Sequence, residues 1–376
     1  MSPAPENATE YDPQLHRWPH CVSAHQITRS VFELIQKRAA QMLDQLEKRD
    51  WSRMHGELFD NIPRQSLANT ITAGLILEPS TRTQTSFNVA AARLGSSPQV
   101  QMIDPARTSM GKAERWDTTV RVLCQYHPDA FVLRTPHVEQ AYQAAALFGD
   151  YTGSHHPNTD KSWGVFINAG NGSDQHPTQA LLDMFAIHKV CGTINGLRIL
   201  IAGDIGRART VNSLLIALAQ AAIDSTIVIV APVIDGYELS PPAHVMHKLD
   251  EANLNVQVAQ VRTRDEFVDL ARQADVGYWT RLQVERYRDE LPPSFAAANA
   301  SLIQLSPELL DQTEILAFHP MPYTDEVCRE VEGHHQVMFL KQAGWGVPVR
   351  MALLELAILH PKQLRDAFEQ DTRESA

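Results

Sequence analysis

The sequence predicts two doubly wound α/β domains, and three observations lead there. Short apolar runs of strand character alternate with helical patterns along the chain. The runs number nine, too many for one ordinary doubly wound sheet. A helical pattern beginning near Pro177 falls between the fourth and fifth runs, where it can bridge two sheets.

Taken in order, residues 1 to about 20 are rich in Pro, Asn and Glu without periodicity and read as a poorly ordered extension. From Ser23 to about Lys48, the residues Ile27, Val31, Leu34, Ile35, Met42 and Leu46 fall on one side of an amphipathic helix. Strand-like runs follow at Gly74–Leu77, Val100–Ile103, Ala130–Leu133 and Val165–Asn168. Beyond the helix at Pro177 come Leu197–Ala202, Thr226–Ala231, Val256–Val261, Val276–Thr280 and Ile315–Phe318. A last helical pattern, Val349–His360, closes the chain.

Composition excludes several classes. The 376 residues are 44% hydrophobic and 20% charged, which supplies packed cores and argues against a disordered chain. No apolar run approaches the roughly 18 residues of a membrane span. The N-terminus lacks the basic and apolar regions of a secretory signal. Cys21, Cys124, Cys191 and Cys328 are scattered with no Cys-x-x-Cys pair, so neither disulfides nor zinc are expected and a reducing cytoplasm is. With 33 Lys+Arg against 44 Asp+Glu, the formal net charge of −11 repels nucleic acid and anionic lipid unless basic residues gather locally.

They do gather. Ligands of open α/β sheets bind at the carboxyl ends of the strands, and the segments there hold Arg82, Arg107, Arg134, Arg207, Arg209 and Arg281. Arginines at successive strand ends of an acidic chain point to an anion pocket; the bland alternative is that surface loops carry charge. The clearest segment is Glu78-Pro-Ser-Thr-Arg-Thr, followed by Phe87, Ala90, Ala91 and Leu94 at helical spacing and by Gly95 as a stop. Ser80 or Thr81 stands where an N-cap belongs. A helix tip with the hydroxyls of Ser80, Thr81 and Thr83 and the guanidinium of Arg82 suits a phosphate, where an ordinary capped helix would be the bland reading.

Ser80-Thr-Arg-Thr with Ser86-Phe and Ala91-Ala-Arg-Leu-Gly resembles the phosphate loop of the aspartate/ornithine carbamoyltransferase family. The resemblance runs from about His20 to about Pro361. It includes Asn168-Ala-Gly-Asn-Gly-Ser-Asp-Gln-His-Pro-Thr-Gln, Gly203-Asp204, Arg209-Thr-Val, Thr280-Arg-Leu-Gln283, His319-Pro-Met-Pro322 and Gln342-Ala-Gly344 with Val349-Arg-Met351, in the family's order. It implies the carbamoyltransferase fold. A carbamoyl phosphate-binding domain would span residues 21–175, with residues 346–376 returning to it as a C-terminal helix. An aspartate-binding domain would span residues 176–345. His319-Pro-Met-Pro replaces the His-Cys-Leu-Pro of ornithine enzymes, so the resemblance implies carbamoyl transfer to L-aspartate, with Arg209, Arg281 and Gln283 binding that substrate. It assigns carbamoyl phosphate to Ser80, Thr81, Arg82, Thr83, Arg134, His176, Gln179, Met321 and Pro322, with Arg82, Thr83 and His176 catalytic. No cofactor or metal is implied.

The family places its site between domains and at a subunit boundary, so a homotrimer, alone or within a larger assembly, is the minimal active unit by resemblance. Ser109 and Lys112 would be lent to the neighbour. The loop carrying them is shorter than usual; Lys112 takes the family's lysine position if the gap precedes it, and Ala113 takes it otherwise. Tyr323 stands where the family has an arginine. Glu78 reads as an internal partner of a site arginine, and His319, one of five histidines followed by proline, as structural. The pairs His155-His156 and His334-His335 lack a third metal ligand at sensible spacing. Three other readings stay open: a different amino-acid acceptor, an inactive homologue acting as scaffold, and a nucleotide-binding protein, the last weakened because Gly203 and Gly206 do not complete G-x-G-x-x-G.

Overall fold

The computed structural model describes residues 10–13, 16–48, 66–155, 164–239, 246–247, 249–250, 254–287, 291–292 and 294–374. The chain divides into two compact units, residues 1–181 with 345–376 and residues 182–344.

In the first unit, α1 (Arg29–Glu47) precedes β1 (Ile71–Ile76), α2 (Thr81–Arg93), β2 (Ser97–Met102), α3 (Trp116–Cys124), β3 (Ala130–Thr135), α4 (Val138–His155) and β4 (Val165–Asn171). The four strands are parallel in the order β2-β1-β3-β4. Phe131, Leu133, Tyr142, Phe148 and Phe166 fill the core. The helix α2 shows how local rules set an element. Ser80 is its N-cap. Gly95, at φ +83°, ends it in a Schellman pair, Ser96 N–H to Ala91 O at 3.0 Å and Gly95 N–H to Ala92 O at 3.2 Å.

α5 (Pro177–Cys191) begins in the first unit and continues into the second. It is buried from Pro177 to Ile187, the polar Thr178, Gln179 and Asp183 included. The second unit follows as β5 (Arg198–Ala202), α6 (Arg209–Ala221), β6 (Thr226–Ile234), β7 (Tyr237–Glu238), β8 (Asn255–Val261), α7 (Arg264–Ala271), β9 (Val276–Trp279), α8 (Phe295–Ile303), α9 (Pro307–Asp311) and β10 (Leu316–Phe318). Five strands run parallel as β10-β9-β5-β6-β8, and β7 pairs antiparallel with β6. Leu200, Val228, Val230, Phe267, Trp279 and Phe339 build this core. α10 (Phe339–Leu359) leaves the second unit at Gly344 and enters the first, where α11 (Pro361–Glu374) completes it.

All nine expected runs are strands, and the C-terminal helices return to the first unit as expected. Asp371 accepts from Ser30 N–H and Oγ–H, each at 2.8 Å, and Arg38 pairs with Glu355. Three expectations are corrected. The extension ends well before residue 20: His16, Trp18 and His20 are buried, and residues 20–22 lie beside β4. Cys21 N–H donates to Phe166 O at 2.9 Å and Asn168 N–H to Cys21 O at 2.8 Å. Hydrogen bonding to a sheet edge orders a segment that its composition leaves unmarked; residues 1–9 and 14–15 lie outside the described residues. The first helix starts at Arg29, because a capping box between Ser23 and Gln26 closes a separate short turn over Ala24–Gln26. The closing helical pattern belongs to α10, which begins at Phe339 rather than Val349, runs through Pro348 with its buried flank overriding the breakers that sequence alone suggests, and is followed by a further helix, α11.

Candidate active site

Both sheets reverse their strand order once, and several of the predicted residues lie at those two places. In the first unit, successive strands are laid down in opposite directions from β1, toward β2 and toward β3. In the second, β5 is the divide between β6 and β9. Such switch points leave a crevice at the carboxyl ends of the strands.

At the β1/β3 switch, the Ser80 hydroxyl accepts from Thr83 N–H at 3.4 Å and donates to Thr83 Oγ1 at 2.8 Å. Thr83 is buried, while Thr81 and Arg82 are exposed at the helix tip. Desolvation by the surrounding protein lowers the Arg82 pKa but leaves a guanidinium charged at neutral pH. Arg134, on β3, is held from two sides by Glu78: its Nε donates to the Glu78 carbonyl at 3.1 Å and Nη2 to the Glu78 carboxylate at 2.8 Å. Leu77 N–H donates to Arg134 O at 2.8 Å, which sets the two strand ends side by side. A cationic fork and a hydroxyl-rich helix tip thus converge at one switch point.

The β4–α5 turn is built from amides. Asn168 Nδ2 donates to Asn171 Oδ1 at 3.0 Å, Asn171 Oδ1 accepts from Gln175 N–H at 3.0 Å, and Gln175 Oε1 accepts from Ala24 N–H at 3.2 Å. These bonds fix His176 and Gln179 at the start of α5, both buried, with His176 Nδ1 lying 3.4 Å from Thr178 Oγ1.

At the β5/β9 switch, Gly203 adopts φ +116°; a Cβ there would lie 1.9 Å from Thr280 O, so only glycine fits. The buried Asp204 organises the crevice. Its Oδ1 accepts from Arg207 N–H and Tyr287 O–H, each at 2.8 Å, and its Oδ2 accepts from Gln283 N–H at 2.9 Å. Burial and the Asp204 charge push the Tyr287 phenol far up, so it stays a donor. Arg207 lies 4.2 Å over the Tyr287 ring. Arg209 is buried at the start of α6. Arg281 pairs with Glu285 four residues on, which raises its pKa against the lowering by burial. The Gln283 side chain donates to Arg207 O at 3.3 Å.

Met321 and Pro322 lie in the second unit, in a turn where Met321 has φ +62°. His319 shapes it: Nδ1 accepts from Met321 N–H at 2.8 Å and Nε2–H donates to Glu326 at 3.1 Å. Burial alone would raise the Glu326 carboxyl, but His319 and Thr324 hold it below its ordinary value. Tyr323 packs edge-on against His319 at 6.2 Å between centroids.

Not every predicted residue joins these clusters. Ser109 and Lys112 are exposed on a short-turn loop, where Ser109 donates to Glu114 and Ala113 takes φ +65°. Arg107 is also exposed, 3.8 Å from Asp104. The rings of His334 and His335 lie 4.4 Å apart, tilted by 38°, and no cluster of metal ligands occurs among the described residues; His156 lies outside them. Sequence reasoning named Gly203-Asp204 as a motif without giving Asp204 a role, and passed over Tyr287. An acid directly after a strand-end glycine was the available signal for Asp204; none marked Tyr287.

Two family models match consecutive stretches of the chain. The aspartate/ornithine carbamoyltransferase carbamoyl-P binding domain matches residues 19–189 and the Asp/Orn binding domain residues 195–357. The aspartate carbamoyltransferase catalytic subunit of Thermoplasma volcanium is 36% identical over 288 residues, 77% of this chain and 85% of that protein. That of Methanocaldococcus jannaschii is 34% identical over 314 residues, 83% and 93%. The solved catalytic subunit of the M. jannaschii aspartate transcarbamoylase matches with a TM-score of 0.72 at 31% identity, over 90% of this chain and 97% of that one. Aspartate transcarbamoylase from Trypanosoma cruzi, in complex with N-(phosphonacetyl)-L-aspartic acid, matches with 0.72 at 26% identity, over 91% and 97%.

Proposed function

Because the chain belongs to the aspartate/ornithine carbamoyltransferase family, we propose that it transfers the carbamoyl group of carbamoyl phosphate to the α-amine of L-aspartate, giving N-carbamoyl-L-aspartate and phosphate. The observation that carries this reading is the division of cationic groups between two strand-order switch points. One is a helix tip beside Arg134, suited to a phosphate. The other is a crevice with Arg209 and Arg281, suited to a dicarboxylate. Ornithine's side-chain ammonium would be repelled at the second, and the curated relatives are aspartate enzymes.

In this reading the first unit binds carbamoyl phosphate and the second binds aspartate. Ser80, Thr81, Arg82, Thr83 and Arg134 take the phosphate. Gln179 orients the carbamoyl NH2, and the Met321-Pro322 turn presents its backbone to the substrates. The neutral amine attacks the carbonyl carbon, an N–C bond forms, and the C–O bond to phosphate breaks. The departing phosphate accepts the amine proton. Arg82, Thr83 and His176 stabilise the oxyanion of the tetrahedral intermediate, so no protein nucleophile is needed. Arg209, Arg281 and Gln283 hold aspartate. The exposed loop with Ser109 and Lys112 supports a homotrimer in which each subunit lends these residues to its neighbour, and four cysteines without a disulfide among them support a cytoplasmic setting.

The test is product analysis with a panel of amine acceptors. Carbamoyl aspartate and phosphate should appear one for one with L-aspartate; preferential carbamoylation of ornithine, or phosphate release without a carbamoylated product, overturns the assignment.

A further inference from the structure

A chain of buried polar groups in the second unit has no part in the reaction just described. Asp183, fully buried on α5, accepts from Tyr278 O–H and from Gln342 Nε2–H, each at 2.7 Å. Gln342 Oε1 then accepts from His319 N–H at 3.0 Å. His319 passes the constraint to Met321 N–H at 2.8 Å, and Glu326 holds its far nitrogen. At the other end, Tyr278 pairs on β9 with Ile201 of β5, the strand that leads through Asp204 to Arg209 at the start of α6.

The order of donors is fixed along this chain. A carboxylate only accepts, so Asp183 dictates that Gln342 turns its NH2 inward and its carbonyl toward His319. With Nδ1 accepting from Met321, His319 must carry its proton on Nε2, where Glu326 takes it. Asp183, Tyr278, Gln342, His319 and Glu326 are all buried, so no water can replace a lost partner cheaply. The backbone of Met321 sits at φ +62°, a conformation that a side-chain-bearing residue keeps only when its surroundings impose it.

We propose that Asp183, Tyr278 and Gln342 are positioning residues that lock the Arg209 end of α6 and the Met321-Pro322 turn into one register. None of the three touches substrate. They make the dicarboxylate anchor and the substrate-facing turn a single rigid unit, so that aspartate held by its carboxylates presents its amine at a fixed place. This inference rests on the proposed roles of Arg209, Met321 and Pro322.

The experiment is a double-mutant cycle with Tyr278→Phe and Gln342→Met, alongside Asp183→Asn and Asp183→Leu. Tyr278→Phe removes one hydroxyl and keeps the ring, so it reports even if Gln342→Met or Asp183→Leu fails to fold. Tyr278→Phe, Gln342→Met and Asp183→Leu should each lower kcat about ten-fold and raise the aspartate KM, as losing one buried hydrogen bond that aligns reactants does. The carbamoyl phosphate KM should stay within about two-fold. The double variant should lose less than the product of the two singles, since cutting the chain once already frees the turn. Asp183→Asn, which still accepts from Gln342, should keep most of the rate that Asp183→Leu loses. Folded variants with wild-type kcat and aspartate KM, or losses that multiply independently, overturn the inference and leave the carbamoyltransferase reading intact. A wild-type chain that forms no carbamoyl aspartate removes both.

Discussion

The helix tip at residues 80–83 and the crevice around Asp204, the two anion sites proposed above, each lie at a sheet's switch point, yet they are made in opposite ways. The first is closed by bonds within four residues, Ser80 to Thr83, and needs the rest of the fold only to bring Arg134 alongside. The second is held by one buried carboxylate gripping groups 79 and 83 residues away, Gln283 and Tyr287. The difference separates chemistry from stability. A local site can lose its functional group with little structural effect, whereas the long-range site cannot lose its organiser without loosening what it ties.

Four outcomes test that contrast. The largest is Arg82→Ala, expected to reduce kcat by about 10²–10³-fold through loss of transition-state charge stabilisation, with the melting temperature unchanged. A wild-type rate would break the local half of the comparison. Next, Asp204→Ala should raise the aspartate KM about ten-fold or more and destabilise the fold by about 3 kcal/mol, since it strands buried donors. Carbamoyl phosphate binding, followed by calorimetry, should be untouched. Unchanged stability would put the second site in the same class as the first.

A third outcome concerns the long-range feature of the first unit, the N-terminal segment beside β4. His20 Nδ1 accepts from Phe166 N–H at 3.0 Å and must be unprotonated to do so. Burial, aided by the neighbouring His16, pushes its pKa from 6.5 down to about 4. Between those values the unfolded chain takes up a proton that the folded chain refuses. Stability is therefore whole above about pH 6.5 and is lost as pH falls toward 4. A melting temperature roughly 5 °C lower at pH 5 than at pH 7 is expected, and His20→Asn should flatten that profile. The smallest effect belongs to Ser80→Ala, which removes the N-cap of α2 and should cost about 1 kcal/mol in chemical denaturation.

The same contrast explains what the sequence revealed. The α2 tip was legible because hydroxyls, arginine, apolar spacing and a terminal glycine all lie within 18 residues. The nine parallel strands were legible as short strand-like runs alternating with helical patterns. The short β7 was missed, although Asp235-Gly236, both at positive φ, is the signature of a tight hairpin. Asp204 was visible as a letter but not as a hub, because Tyr287 and Gln283 become its neighbours only once β5 and β9 pair. His16, Trp18 and His20 sit in a stretch whose composition suggests solvent, and their partners, Tyr142, Gln26 and Phe166, come together only in the folded chain.

The route of the chain through its two units carries a consequence for synthesis. Domains ordinarily mature in the order in which they leave the ribosome. Here the second unit is complete at Gly344, while the first still awaits Glu355 and Asp371, the partners of Arg38 and Ser30. The half that is translated first is thus the half that must wait, its α1 face uncovered until the final turns of the polypeptide emerge.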